Sequence, residues 1–500
     1  MTETVTGNNA KLMRLAKKCL LFSIIAHLLA SYFSIGYIHY DEHFQILEFA
    51  GYKLGITPLN GLAWDYSALE RPAMQPAFVV AIMNLLGSHP DPLICAFILR
   101  IFSSLIGLGS LVLTVFIGLQ WLTSYAAKRF LILAASLIWF FPYIHSHFSA
   151  ESISGSLFFI GAGCIYLGNN KLPQQKKKNT YLLLPGGFSL GLSFVCRYQI
   201  AFMIFGLAVW CIFIAKFSFR KILFIALPLL FAISIGFILD HWFYGQWLFT
   251  ELNYFKVQLI QGKAAEFGIQ PWWSFFKWAG RDMILPFSIA IIAGILYSFY
   301  IFPKNILVLS LVPFIIMHII IGHKEPRFMY PLIDAIPVLL ALVFNEIQNI
   351  FSRGKKYWQW VFILFWGANI VYMAASCLKP ASNNVQPFSY IYHHYDGKSA
   401  SLLAFENNPY TDIGLTLYFY KPSDIRIYDS LKTRQVDSIT SKLKGPVLLL
   451  SNNWQLDNEF TKTHPNAKLV YRSMPMWLDN FNVNNWLGKT SMYKLYELKP

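Results

Sequence analysis

The chain has 500 residues, of which 56% are hydrophobic and 17% aromatic, but only 13% are charged. Soluble domains carry roughly 25% charged residues, so this balance excludes an ordinary soluble protein, and repeated apolar runs of about 17–25 residues match the thickness of a bilayer core. The net charge of +16 is spread over short clusters between those runs, such as Lys11/Arg14/Lys17/Lys18 and Lys176–Lys178, which is how cytoplasmic loops are marked and not the single basic face of a nucleic-acid binder.

Taken in chain order, the basic amino end lies in the cytoplasm and a first span covers about 19–38. It is long enough to remain as an anchor and lacks the small-residue cleavage site of a signal peptide. The segment 39–71 follows on the outside, rich in Asp, Glu, His and aromatic residues. The run Ala73–Gly87 is short, with Pro72 and Pro76 at its start, and is expected to lie in the membrane interface, which leaves 39–92 outside. Spans then follow at about 93–120, 130–147, 152–168, 181–197, 201–215, 222–239, 284–302, 305–321, 327–346 and 358–376. This arrangement puts Lys128/Arg129, Lys216, Arg220, Lys221, Lys304, Arg353, Lys355 and Lys356 in the cytoplasm, as the positive-inside rule requires. A second long outside loop covers 240–283.

The expected fold is therefore an all-α polytopic membrane protein of about 11 transmembrane helices, occupying 1–378, with a small α/β domain at 379–500 on the extracytoplasmic side. In the second part, strand-like runs occur at Asp424–Tyr428, Pro446–Ser451, Ala467–Tyr471 and Met492–Leu498, and a helical pattern fits Ser430–Leu443. The six cysteines lie in or beside apolar runs without a CxxC pair, which argues against a disulfide framework or structural zinc. No N-x-[ST] sequon occurs.

This topology sorts the unusual polar clusters onto one side: His39-Tyr40-Asp41-Glu42-His43, Glu48, Asp65, Glu70-Arg71, Glu151, Arg197, Asp240-His241 and His323-Lys324-Glu325-Pro326-Arg327. Ionisable groups at a membrane edge are functional candidates. A carboxylate such as Asp41 or Glu42 suits a general base, although acidic pairs also start helices. His323, Lys324 and Arg327 suit a phosphate, although Glu325 also suits them as an ion-pair partner. His39 and His43 are four apart, as in a metal site on a helix, but no H-E-x-x-H pattern is present. The aromatic residues of 240–283 fit an interfacial belt or sugar stacking.

Read together, these clusters resemble glycosyltransferase family 22, mannosyltransferases with a GT-C fold that use dolichol-phosphate-mannose. The run HYDEHFQILE from His39 to Glu48 is similar to the family's H-P-D-E-x-F-Q-x-x-E. Trp64-Asp65-Tyr66 with Arg71 and Pro76 is similar to its W-E-W and R-S-x-x-x-P. Ala150-Glu151-Ser152, Arg197-Tyr198-Gln199 and the run YGQWLFT from Tyr244 to Thr250 follow, with Asn253, Gly268 and Pro271-Trp272 beyond. The run HKEPRFMYP from His323 to Pro331 is similar to H-K-E-x-R-F-x-x-P. Tyr40, Asp65 and Pro72 depart from the pattern.

The resemblance implies transfer of mannose with inversion from a polyprenyl (dolichyl) phosphate donor to a hydroxyl of a glycan or glycolipid. Asp41 would be the general base and Glu42 would orient it or bind the sugar. His323, Lys324, Arg327 and Arg71 would hold the donor phosphate. His39, Gln45, Glu48, Asp65, Glu151, Arg197, Tyr244, Trp247 and Glu325 would support them. No metal or other cofactor is required, and a divalent ion at the acidic cluster is compatible with the pattern. Membrane lipid is the expected surrounding, with the site facing a bacterial periplasm or, alternatively, the lumen of the endoplasmic reticulum. Two other readings fit the same sequence. One is a same-fold transferase of another polyprenyl-linked sugar. The other is a lipid or sugar transporter, whose polar groups would sit mid-span in two matched halves.

Overall fold

The structure is a computed structural model describing residues 2–170, 179–352, 355–406, 408–482 and 492–498. The Lys176–Lys178 run and Arg353 lie outside the described residues. The chain forms two compact units. The first comprises Met1–Tyr32, Ser67–Ala77 and Ile98–Leu378; the second comprises Phe33–Tyr66, Phe78–Phe97 and Lys379–Pro500. The 379–500 region thus groups with two stretches of the amino-terminal part.

Among the described residues, five helices are long and apolar enough to cross a bilayer: Pro92–Trp121, Ala150–Asn169, Phe219–Tyr244, Pro326–Ile350 and Lys356–Cys377. A sixth span arises if Phe287–Ile301 and Ile306–Ile320, bent by 114°, are counted together. Asn305 starts the second of these helices, its side chain accepting from the Leu307 amide at 2.9 Å. The stretches expected at 181–197 and 201–215 are the shorter apolar helices Thr180–Cys196 and Tyr198–Ile214. The stretch expected at 130–147 is broken into Tyr125–Leu137 and Phe140–His145, with Ile138 extended. Pro142 explains the break, because in a continuous helix its ring would collide with the carbonyl of Ile138. The first helix runs Thr2–Phe33 and stops five residues before the expected end at 38. Met74–Leu85 is a 12-residue helix, about 18 Å long and shorter than the ~30 Å core of a bilayer.

The interior of the first unit is apolar, with Phe158, Ile165, Ile200, Met203, Phe314 and Val338 at 0% exposure. A polar string crosses it. His27 Nε2 is 3.1 Å from His145 Nδ1, His145 Nε2 is 3.0 Å from Asp334 Oδ1, and Ser110 donates to the other Asp334 oxygen.

The sheet of the second unit has strands β1 (Ala400–Ala404), β4 (Ile425–Tyr428), β5 (Val447–Ser451), β6 (Lys468–Arg472) and β7 (Lys494–Leu498), in the order β4-β1-β5-β7-β6; β2 (Thr411–Asp412) and β3 (Leu415–Thr416) form a separate hairpin. β1 pairs in parallel with β4 and β5, and β7 runs antiparallel to β5 and β6. β1 and β5 are buried along their whole length, as strands in the parallel part of a sheet covered on both faces are. The helix expected at Ser430–Leu443 is Thr433–Thr440.

Candidate active site

In the second unit, His39 caps the one-turn helix Tyr40–Glu42, its Nδ1 accepting from the Asp41 amide at 3.3 Å. An Nδ1 that accepts a proton has none of its own in the neutral ring, so the ring proton sits on Nε2. The Asp41 carboxylate lies 3.7 Å from the His39 Nδ1 with its side chain 28% exposed, and Glu42 Oε2 turns back to accept from the Ile38 amide at 3.0 Å. The chain continues as a π-helical turn, His43–Leu47, into the helix Glu48–Lys53. π-Turns of this kind are frequent at functional sites. Gln45 donates to Asp65 at 3.0 Å, and Asp65 is buried. Glu48 is fully buried and already committed. His43 Nε2 is 2.7 Å from its Oε1, the Phe419 amide donates to the same oxygen at 3.0 Å, and Thr57 donates to Oε2 at 2.5 Å. His43 and Glu48 therefore act as internal anchors, and the carboxylates left nearer solvent are Asp41 and Glu42.

In the first unit, the stretch 69–73 is stitched onto the segment 240–258. Asn253 donates to the Leu69 carbonyl at 3.1 Å and Tyr244 to the Arg71 carbonyl at 2.8 Å. The Ala73 amide donates to Asp240 at 2.7 Å, and Gln258 donates to Glu70 at 2.6 Å. These bonds set the Arg71 guanidinium over the Tyr254 ring, 5.6 Å from its centroid.

Glu151 enters from the first turn of the Ala150–Asn169 helix, behind the cap Ser149. Its Oε1 is 2.8 Å from Arg197 Nη1 and 3.0 Å from Arg327 Nη1. The approach depends on Gly155, where a Cβ would come within 2.6 Å of the Pro331 Cα. Arg327 begins the 3-10 run Pro326–Ala335, long for that helix type, which rarely exceeds three or four residues. Its Nε meets Glu325 at 2.6 Å, and Glu325 also bonds His323 at 2.9 Å. That bond to Glu325 holds the His323 imidazole above its ordinary pKa. Lys324 is 4% exposed, donates to the carbonyls of Ile321 and Gln270, and is pulled below its ordinary pKa by burial.

Arg71, Arg197 and Arg327 all act electrostatically on Tyr254, opposing the upward push of burial on its phenol. Gln199 donates to that phenol oxygen. Arg197 is 7% exposed, and its Nε and Nη2, which form the side edge of the guanidinium, have no hydrogen-bond partner among the described residues. Arg71, Arg197, Lys324 and Arg327 share this region with the carboxylates of Glu70, Glu151, Asp240 and Glu325. The idle edge of the buried Arg197 guanidinium suits an anion that offers paired oxygens.

Trp247 lies apart from these bonds, stacked on His241 at 3.9 Å and 61% exposed. Tyr254 is a site residue that no motif of the sequence marks, and His27, His145 and Asp334 lie outside every motif. Ionisable side chains inside apolar runs were the available signal. Among the described residues no group of three or more His, Cys, Asp or Glu side chains is placed to hold a metal ion.

A family model described as Alg9-like mannosyltransferase matches residues 18–400. The chain belongs to the Alg9-like mannosyltransferase family. That match covers the turn at Asp41 and the whole arginine cluster, and makes the protein a membrane glycosyltransferase of the mannosyl-transferring class. A similar protein from Schizosaccharomyces pombe, a probable Dol-P-Man:Man(7)GlcNAc(2)-PP-Dol alpha-1,6-mannosyltransferase, is 23% identical over 403 residues, 77% of this chain and 68% of the relative. GPI mannosyltransferase 3 of Candida albicans is 24% identical over 315 residues, 63% of this chain and 61% of the relative, so the match spans about three fifths of that protein's length. Among solved structures, ArnT from Cupriavidus metallidurans bound to undecaprenyl phosphate superposes with a TM-score of 0.52 at 11% identity, over 95% of this chain and 97% of the other. That likeness gives the fold, the GT-C architecture of membrane glycosyltransferases.

Proposed function

We propose that the protein transfers mannose from a polyprenyl-phosphate mannose to a hydroxyl of a glycan or glycolipid, with inversion, on the extracytoplasmic side of its membrane. The acceptor oxygen attacks the anomeric carbon while the bond from that carbon to the phosphate oxygen breaks. The acceptor proton passes to the Asp41 carboxylate, and the bonding pair leaves with the phosphate as a polyprenyl phosphate. Glu42, fixed by the Ile38 amide, orients the base or takes a sugar hydroxyl. A phosphate leaving group needs its growing charge met by donors already in place.

The observation that carries this reading is the arginine cluster, Arg71, Arg197 and Arg327 about Tyr254, with Lys324 and His323 alongside. Further support comes from an apolar cavity of about 270 Å³ in the first unit, lined by Trp139, Tyr143, Phe276, Met283, Met329 and Tyr330. Its wall includes Pro326, next to Arg327, so an isoprenoid tail has an apolar place close to the cations that take its phosphate. The Schizosaccharomyces pombe relative is named for a dolichyl-phosphate-mannose donor, which supports the choice of sugar and carrier.

The test is transfer by the purified protein from tritiated dolichyl-phosphate mannose to a panel of α-mannosides and mannosylated glycolipids, with dolichyl-phosphate glucose as the competing donor. Label moving from the mannose donor to an acceptor, as an α-mannoside, is the expected result. Transfer from the glucose donor alone would overturn the sugar assignment. Folded protein that binds neither donor would overturn the carrier assignment.

A further inference from the structure

The helical turn that carries Asp41 is three residues long, and a single turn has no stability of its own. Within it the Asp41 amide donates to His39 Nδ1 and the Ile38 amide donates to Glu42 Oε2. Both of its flanks in the second unit are held by the carboxy-terminal domain.

Upstream, the Ile35 carbonyl accepts from the amides of Ala381 and Ser382 at 2.9 and 3.1 Å. Gly36 has φ +96°, and a Cβ there would lie 2.6 Å from the Ser382 Cβ, so the contact requires glycine for both its conformation and its bareness. Tyr37 is 6% exposed and donates its phenol to the Asp412 carboxylate of the β2–β3 hairpin. Asn384 lies 3.4 Å from both groups. Downstream, the buried His43 ring stacks on Tyr420 at 5.3 Å, and its partner Glu48 accepts from the Phe419 amide.

We propose that the carboxy-terminal domain is a positioning device for the catalytic turn, with the Tyr37–Asp412 hydrogen bond and the Glu48–Phe419 bond as its two struts. Tyr37, Asp412 and Glu48 are positioning residues that act through residues 38–42. The proposal deepens the reading of Asp41 as the base and rests on it for its catalytic consequence. The structural consequence stands separately.

The test is hydrogen–deuterium exchange of the full-length protein in detergent, comparing wild type with Tyr37→Phe, Asp412→Ala and Asp412→Asn. The amides of Asp41 and Glu42 are expected to exchange at least about tenfold faster in Tyr37→Phe and Asp412→Ala, the effect of one lost hydrogen bond. Asp412→Asn keeps an acceptor oxygen and is expected to stay near wild type. Amides of the sheet core, Leu402 and Leu449, report whether the domain remains folded and are expected to be unchanged. Turnover of dolichyl-phosphate mannose with methyl α-mannoside is expected to fall with the faster exchange while the donor KM holds. Unchanged exchange at 41 and 42 with the bond removed would overturn the proposal. So would faster exchange throughout the sheet, because the bond would then be a general stabiliser. Faster exchange at the turn in a protein whose Asp41→Asn variant keeps full turnover would leave the positioning role standing and remove Asp41 as the base.

Discussion

Arg327 Nη1 and Arg197 Nη1 both reach the same carboxylate oxygen of Glu151, at 3.0 and 2.8 Å. One buried carboxylate thus holds two guanidiniums from distant parts of the chain. Removing one partner of a buried ionic group leaves uncompensated charge and costs about 3–5 kcal/mol. Glu151→Ala is expected to lower the thermal unfolding midpoint in detergent sharply and to raise the donor KM. Glu151→Gln, which keeps an accepting oxygen, is expected to lose less of both.

The 3-10 run that starts near Arg327 ends near Asp334, and Asp334 is tied to His145 at 3.0 Å. That bond fixes the far end of the segment carrying the Arg327 guanidinium. His145→Ala leaves a buried carboxylate short of a donor, at a cost of about 1–3 kcal/mol. The expected outcome is a lower unfolding midpoint with a raised donor KM. An unchanged KM in a destabilised protein would confine the string to a stabilising role.

The His323 imidazole, its pKa raised by the bond to Glu325, stays protonated to a higher pH than a free histidine. Its positive charge is fully present below the ordinary value of 6.5 and is lost as pH rises through the raised one. Donor KM is therefore expected to be flat on the acid side and to climb at higher pH, by up to about tenfold if one charge-assisted contact is lost. Glu325→Gln removes the raising contact, and the climb is expected to begin at lower pH. A KM profile that Glu325→Gln does not move would remove His323 from the donor site.

Much of this architecture was legible in the sequence because bilayer-length apolar runs and short motifs are local signals. Pro92–Trp121, Ala150–Asn169 and Phe219–Tyr244 stand close to the spans expected from hydropathy. The break before Phe140 was less visible, since Pro142 acts on a carbonyl four residues earlier. β1 escaped notice because Ala400-Ser401-Leu402-Leu403-Ala404 has little intrinsic strand preference and is a strand through its two parallel neighbours. The same holds in the site. The charged members of the arginine cluster announced themselves by type and motif. The placing of Tyr254 among three guanidiniums, and the commitment of Glu48 to His43, Thr57 and the Phe419 amide, arise from contacts between residues far apart in the chain.

Asp41, proposed to take the acceptor proton, is tested by single-turnover transfer with Asp41→Asn alongside donor binding by the same protein. The transfer rate is expected to fall by about 10²–10⁴-fold, the scale of a lost general base, while dolichyl-phosphate mannose binds as in wild type. Transfer at the wild-type rate by Asp41→Asn would remove Asp41 as the base.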